Sequence, residues 1–182
     1  MAEVDQSKMP EVVLTLGPSM FYLFWTRRYV MARIDYAKVA PEALKALVQL
    51  EGHVRKSGLD RKLKDLVYLR VSQINGCAYC IDMHSKDLRA HGETDERMHL
   101  LPVFREVSAM FSERERAALA WAESVTLLTE GHVPDEVFEE ARQHFEEREL
   151  VELTMAVATI NAWNRIGVSF RPEAGIYQPV AR

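Results

Sequence analysis

Cys77 and Cys80 are the two cysteines of the chain, separated by two residues, and His84 follows four positions after the second. Asn75-Gly76 lies directly in front of them and signals a chain reversal. Amphipathic patterns flank the turn, so the cysteines should open a helix. At about 100° per residue, Cys77, Cys80 and His84 then share one face no more than about 60° wide. Only a thiolate is nucleophilic, and two devices favour it here. A helix N-terminus stabilises negative charge near Cys77. An imidazole one turn on can take the Cys80 proton. If one sulfur is oxidised to a sulfenic acid, its neighbour can condense with it. The parts are those of a dithiol redox centre.

Three other readings of the same residues stand beside it. Thiolate and imidazole suit zinc, but a fourth ligand is missing nearby: His91, on the same face, is about 21 Å from Cys77 along the axis. Two inert core cysteines are the plainest alternative. A c-type haem requires the histidine directly after the second cysteine, where Ile81 stands.

The elements that must position this group read as helices. Pro41 begins one carrying Leu44, Leu47, Val48, Glu51 and Val54, closed by Gly58, with His53 a surface residue near its end. Asp60 is an N-cap for the next, with Leu63, Leu66, Val67, Leu69, Val71 and Ile74. The cysteine helix runs to about His91 and stops at Gly92. A short helix starts at Thr94-Asp95-Glu96 and meets Pro102. Ser112 caps a strong helix that Gly131 ends, and Pro134-Asp135 starts another. From Glu146 to about Phe170 the chain is apolar almost all round, which predicts a central buried helix. No stretch alternates convincingly with period two, so the fold class is all-α. The CxxC therefore lies between two helices rather than after a strand, as a thioredoxin-like βαβ unit would have it.

The turn also brings in a carboxylate. Asp65 is ten residues before the turn and His84 about eight after it. In an antiparallel helical hairpin those depths agree within about 3 Å. Asp65 is thus expected to face His84 and orient it.

A net charge of −4 argues against a nucleic-acid or anionic-membrane partner. Two cysteines are too few for a secreted disulfide scaffold. Glu3 and Asp5 replace the basic start of a targeting signal, and the apolar runs before Gly17-Pro18 and Arg27-Arg28 are too short to span a bilayer. The cytoplasm is the expected compartment. Residues 1–32 read as an N-terminal extension or arm whose aromatics pack on the core or a neighbouring subunit. Residues 33–182 read as one helical domain.

The run Ser72-Gln73-Ile74-Asn75-Gly76-Cys77-Ala78-Tyr79-Cys80-Ile81-Asp82-Met83-His84-Ser85-Lys86-Asp87 resembles the alkylhydroperoxidase D-like (AhpD-like) proteins of the carboxymuconolactone decarboxylase superfamily. The likeness continues through Gly92-Glu93-Thr94, through Glu113 to Trp121 and into Asn161-Ala162-Trp163-Asn164-Arg165, covering roughly residues 33–179. It implies a compact multi-helix domain that assembles as a homotrimer or homohexamer. It implies reduction of organic hydroperoxides, with electrons from a dithiol reductant such as a lipoyl-type or other thiol carrier protein. By resemblance, Cys80 attacks the peroxide, Cys77 resolves the product into a redox-active Cys77–Cys80 disulfide, and His84 relays protons. No cofactor or metal is implied. The dipole argument favours Cys77 as the more acidic thiol; the His84 spacing favours Cys80.

Two positions depart from the family pattern. The relay carboxylate is usually a glutamate; Asp65 is one methylene, about 1.5 Å, shorter, enough to weaken a direct hydrogen bond. Tyr79 stands where the best-studied pattern has a histidine, and it can serve as a hydrogen-bond donor. Decarboxylase or lactone chemistry, which the wider superfamily includes, does not need a CxxC. A non-enzymatic redox sensor whose disulfide alters assembly is the remaining alternative.

Overall fold

The computed structural model describes residues 32–179. The expected extension over 1–32 therefore lies almost wholly outside the described residues. Among the described residues the chain forms helices and no strands. In order these are α1 (Tyr36–Val39), α2 (Pro41–Val54), α3 (Arg61–Asn75), α4 (Ala78–Ala90), α5 (Asp95–Leu100), α6 (Glu113–Thr126), α7 (Asp135–His144) and α8 (Glu147–Phe170). Short 3₁₀ turns occupy Leu101–Val103, Ser108–Met110 and Leu128–Glu130.

The local signals act where expected. Asp60 accepts a hydrogen bond from the Leu63 N–H and caps α3. Thr94 does the same for α5 through Arg97. Ser112 and Glu115 form a reciprocal capping box on α6. His53, at the end of α2, keeps most of its side chain exposed and meets Glu152.

Two helices organise the packing. Helix α3 packs against α4, α6 and α8; helix α8 packs against α2, α3, α4, α6 and α7. One face of α3, with Val67 and Val71, enters a core shared with Ala118, Ala122, Leu153, Val157 and Ile160. Its other face, with Leu66 and Leu69, enters a second core with Leu88, Leu101, Phe104, Phe111 and Leu119. Being sandwiched, α3 is the most enclosed element, and the four residues named on it are at most 1% exposed. The long last helix differs from expectation. Leu153, Val157 and Ile160 are buried, but Val151 and Val168 are 63% and 43% exposed. Apolar residues all round a helix show that no polar face exists; they do not show that every face is covered.

The turn between α3 and α4 is held from two sides. Gly76 adopts the left-handed conformation at φ 66°, where its N–H and that of Cys77 close onto the last turn of α3. From the opposite helix, Asn161 and Asn164 place their side-chain oxygens 3.0 and 2.9 Å from the Asn75 amide nitrogen. Asn164 also donates to the Ser72 hydroxyl at 3.1 Å, in a fully buried contact. A buried amide network of this kind fixes position because each unmade bond would leave a polar group stranded.

A Cβ at position 76 would meet nothing within 4 Å, so only backbone conformation resists substitution. Gly76→Ala should therefore cost about 1 kcal/mol, and Gly76→Asn clearly less. Urea midpoints at unchanged slope would measure both.

Candidate active site

Cys77 is the N-cap of α4, extended at φ −84° and ψ 96°, and its sulfur accepts the Cys80 N–H at 3.3 Å. Serine, aspartate and asparagine usually supply this cap. Here a sulfur supplies it, so the start of α4 and the redox pair are one object. The two sulfurs are joined in a disulfide. Both cysteines are buried, at 1% and 3% exposure.

The pair faces the last helix through Gly167. A Cβ there would lie 2.6 Å from the Cys77 sulfur and 3.2 Å from that of Cys80. The glycine is required by close approach, not by backbone angle. An isolated glycine inside a helical run is the sequence signal for such a contact, and it lies far outside the cysteine motif.

A cavity of about 570 Å³ opens beside the disulfide. Cys80 belongs to its wall, together with Tyr79, Met83 and His84 from α4; Cys77 does not. Tyr68, Ile160 and Trp163 form other parts of the wall, and the chain after α8 contributes Tyr177 and Pro179. That last segment is fastened to α4. Lys86 donates to the Gly175 and Tyr177 carbonyls at 3.0 Å each, and the Tyr177 hydroxyl donates to Asp87 at 2.7 Å. Burial raises the Tyr177 phenol to about 12, and the Asp87 bond adds to it.

His84 is buried, and neither ring nitrogen has a hydrogen-bond partner among the described residues. Its ring stands edge-on to Tyr68, with centroids 5.1 Å apart. Burial pushes its pKa down to about 3, and the Lys64 ammonium adds to the effect. His84 is therefore a neutral imidazole, one helical turn from Cys80, with a free lone pair.

The carboxylate meets a different histidine from the one expected. Asp65 Oδ2 lies 3.1 Å from His91 Nδ1, and its other oxygen is 3.7 Å from the Lys64 ammonium. Asp65 and His84 both line the cavity, but no hydrogen bond joins them. Equal depth in the hairpin was the wrong criterion. Every Cα–Cβ bond tilts toward its helix N-terminus. On α3 that is away from the turn; on α4 it is toward it. Asp65 and His84 thus lean apart, whereas Asp65 and the deeper His91 lean together. Burial holds the Asp65 carboxyl above its usual range, against the pull of Lys64 and His91. Tyr79 is half-buried on the cavity wall. Among the described residues, no group of three or more His, Cys, Asp or Glu side chains is placed to hold a metal ion.

Residues 41–124 match the model of the carboxymuconolactone decarboxylase family. The uncharacterized protein YdfG of Bacillus subtilis (strain 168) is 39% identical over 137 residues, covering 75% of this chain and 92% of that protein. A crystal structure from Agrobacterium tumefaciens, of a protein of unknown function proposed to be the antioxidant defence protein AhpD, superposes with a TM-score of 0.75 at 45% identity. It covers 82% of this chain and 99% of its own. This chain is an AhpD-like member of the carboxymuconolactone decarboxylase family. An uncharacterized peroxidase-related protein from Ralstonia eutropha JMP134 with an alkylhydroperoxidase AhpD core shares the fold, at a TM-score of 0.66 and 20% identity over 90% of each chain. No helix among the described residues of this AhpD-like protein is long and apolar enough to cross a membrane.

Two measurements test this geometry. Gly167→Ala should destabilise the oxidised protein by about 1–3 kcal/mol, because a methyl group must displace the disulfide or α8. Denaturation under non-reducing conditions would show it. The second concerns His84. Its folded pKa, about 3, lies below the ordinary 6.5, so between them the unfolded chain binds more protons. Stability from the neutral imidazole is complete above 6.5 and is lost as pH falls toward 3. Between pH 7 and pH 4 the wild type should lose about 3 kcal/mol more than His84→Phe. Chemical denaturation of both proteins at the two pH values gives the difference, in which the opposite contribution of Asp65 cancels.

Proposed function

We propose that the protein is a thiol-dependent peroxidase that reduces organic hydroperoxides through a Cys77/Cys80 dithiol–disulfide cycle. The observation that carries this is the asymmetry of the pair: Cys80 lines a cavity that also holds a neutral imidazole with no partner among the described residues, while Cys77 is not part of its wall. A substrate entering the cavity reaches only the second sulfur. This supports Cys80 as the attacking residue over the dipole argument for Cys77.

In the reduced protein His84 takes the Cys80 thiol proton. The thiolate attacks one peroxide oxygen, the O–O bond breaks, and the departing alkoxide takes the proton from His84. The products are an alcohol and a Cys80 sulfenic acid. The Cys77 thiol then displaces the hydroxyl of that sulfenic acid, releasing water and forming the disulfide. A dithiol reductant, of the lipoyl type or another thiol carrier, restores both thiols and leaves as its own disulfide. Burial of His84 suits this role. An imidazolium alone is disfavoured there, so a proton is held only while the Cys80 thiolate is present to pair with it. Asp65 is bonded to His91 and so does not orient His84 directly, and Tyr79 offers a hydroxyl on the cavity wall. The reading places the enzyme in the cytoplasm as a homotrimer or homohexamer, with the exposed Val151 and Val168 of α8 available to contacts between copies.

The single cysteine variants test it. Cys77→Ser should consume one equivalent of cumene hydroperoxide and stop with a sulfenic acid on Cys80, open to overoxidation. Cys80→Ser should consume none. Dimedone trapping and mass spectrometry locate the adduct. An adduct on Cys77 in Cys80→Ser, formed as fast as in the reciprocal variant, would reverse the assignment.

A further inference from the structure

The cavity carries three carboxylates, Glu51, Asp65 and Asp87, and three cationic side chains, Arg55, Arg61 and Lys64. Their formal charges balance, but their hydrogen bonds do not. Glu51 accepts from the Tyr68 hydroxyl at 3.0 Å and from Arg55 at 3.3 Å. Asp65 is bonded to His91, and Asp87 accepts from Tyr177. Every acid thus has a partner. The Lys64 side chain is only 11% exposed, yet its sole charged neighbour, Asp65 Oδ1, is 3.7 Å away, too far for a hydrogen bond. It hangs 5.5 Å from the centre of the Tyr68 ring, which steadies a cation but accepts no conventional hydrogen bond. Arg61, one turn earlier on the same helix, makes no ion pair among the described residues.

The Lys64 ammonium keeps access to solvent in the cavity and has no hydrogen-bond acceptor among the described residues, so a negatively charged ligand oxygen is the partner that suits it best there. The rest of the wall suits the remainder of such a ligand. Val54, Leu59, Met83, Ile160 and Trp163 present hydrocarbon, an aromatic face and a thioether. Cys80 lies on the same wall. About 570 Å³ is within the usual range for sites that enclose one small organic ligand.

We propose that Lys64, assisted by Arg61, is a carboxylate subsite, and that the preferred substrates are amphipathic hydroperoxides bearing a carboxylate, of the fatty-acid type. The hydrocarbon lies along the apolar wall, and the anionic end is held apart from the peroxide group that meets Cys80. This rests on the peroxidase reading for the choice of hydroperoxide; the anion site itself stands on the geometry of Lys64 alone. It also gives the active site a means of selecting among peroxides, which a bare dithiol lacks.

The test compares the hydroperoxide of linoleic acid with that of its methyl ester, using dihydrolipoamide as electron donor. The wild type should favour the acid in kcat/KM by about tenfold or more, the value of one charge-assisted hydrogen bond. Lys64→Gln should bring the acid-to-ester ratio close to one, and Lys64→Arg should restore most of it. The ratio is the readout, so a general loss of rate does not obscure it. A binding arm is independent of turnover: decanoate and methyl decanoate are titrated against tryptophan fluorescence, since Trp163 lines the cavity. Decanoate should bind at least tenfold more tightly than its ester, and Lys64→Gln should remove the difference. Failure of both hydroperoxides to turn over would overturn the peroxidase reading while the binding arm still decided the subsite. Equal wild-type affinity for decanoate and its ester, or a preference that survives Lys64→Gln, would overturn the subsite.

Discussion

The contact between Gly167 and the Cys77–Cys80 disulfide is the constraint on which the site depends. It brings α8 within van der Waals distance of the first turn of α4, at a point where any side chain would intervene. The Asn75, Asn161, Asn164 and Ser72 amide and hydroxyl groups hold the neighbouring turn at the same spacing. Packing and hydrogen bonding therefore fix one another. The glycine permits the approach, and the polar network prevents the helices from sliding along it. The capping role of the Cys77 sulfur makes the start of α4 part of the same arrangement.

Both sulfurs lie against Gly167, yet they stand differently toward the cavity. Cys77, the N-cap, is off the cavity wall, while Cys80, three residues further along α4, is part of it. A helix places His84 on the same side one turn later. One sulfur on the cavity wall and one off it, with an imidazole on the same wall as the first, is what this packing produces. The CxxC-bearing helix needs no strand to support it, because α3 and α8 enclose it instead.

Electrostatics in the cavity are set by enclosure more than by proximity of charges. Burial is the leading influence on both His84 and Asp65, pushing the first down and the second up. Lys64 is a cation on the cavity wall with no hydrogen-bond acceptor among the described residues. Its positive charge disfavours a second cation at His84 and so adds to the effect of burial there.

What the sequence determined by itself was local. Helix-period patterns, the caps at Asp60, Thr94 and Ser112, and the Asn75-Gly76 turn set the helices and the all-α class, because each depends on residues within a few positions of one another. The grouping of Cys77, Cys80 and His84 was equally legible, since it needs only the pitch of one helix. Tertiary structure decided what lies across helices. It gave Asp65 to His91 instead of His84, because the tilt of side chains along antiparallel helices outweighs equal depth in a hairpin. It decided that α3 is the most enclosed element and that α8, though apolar all round, leaves Val151 and Val168 uncovered. It also decided which sulfur meets the cavity. That depends on walls drawn from α2, α3, α8 and the chain after α8, and no spacing within the cysteine motif encodes what stands opposite it.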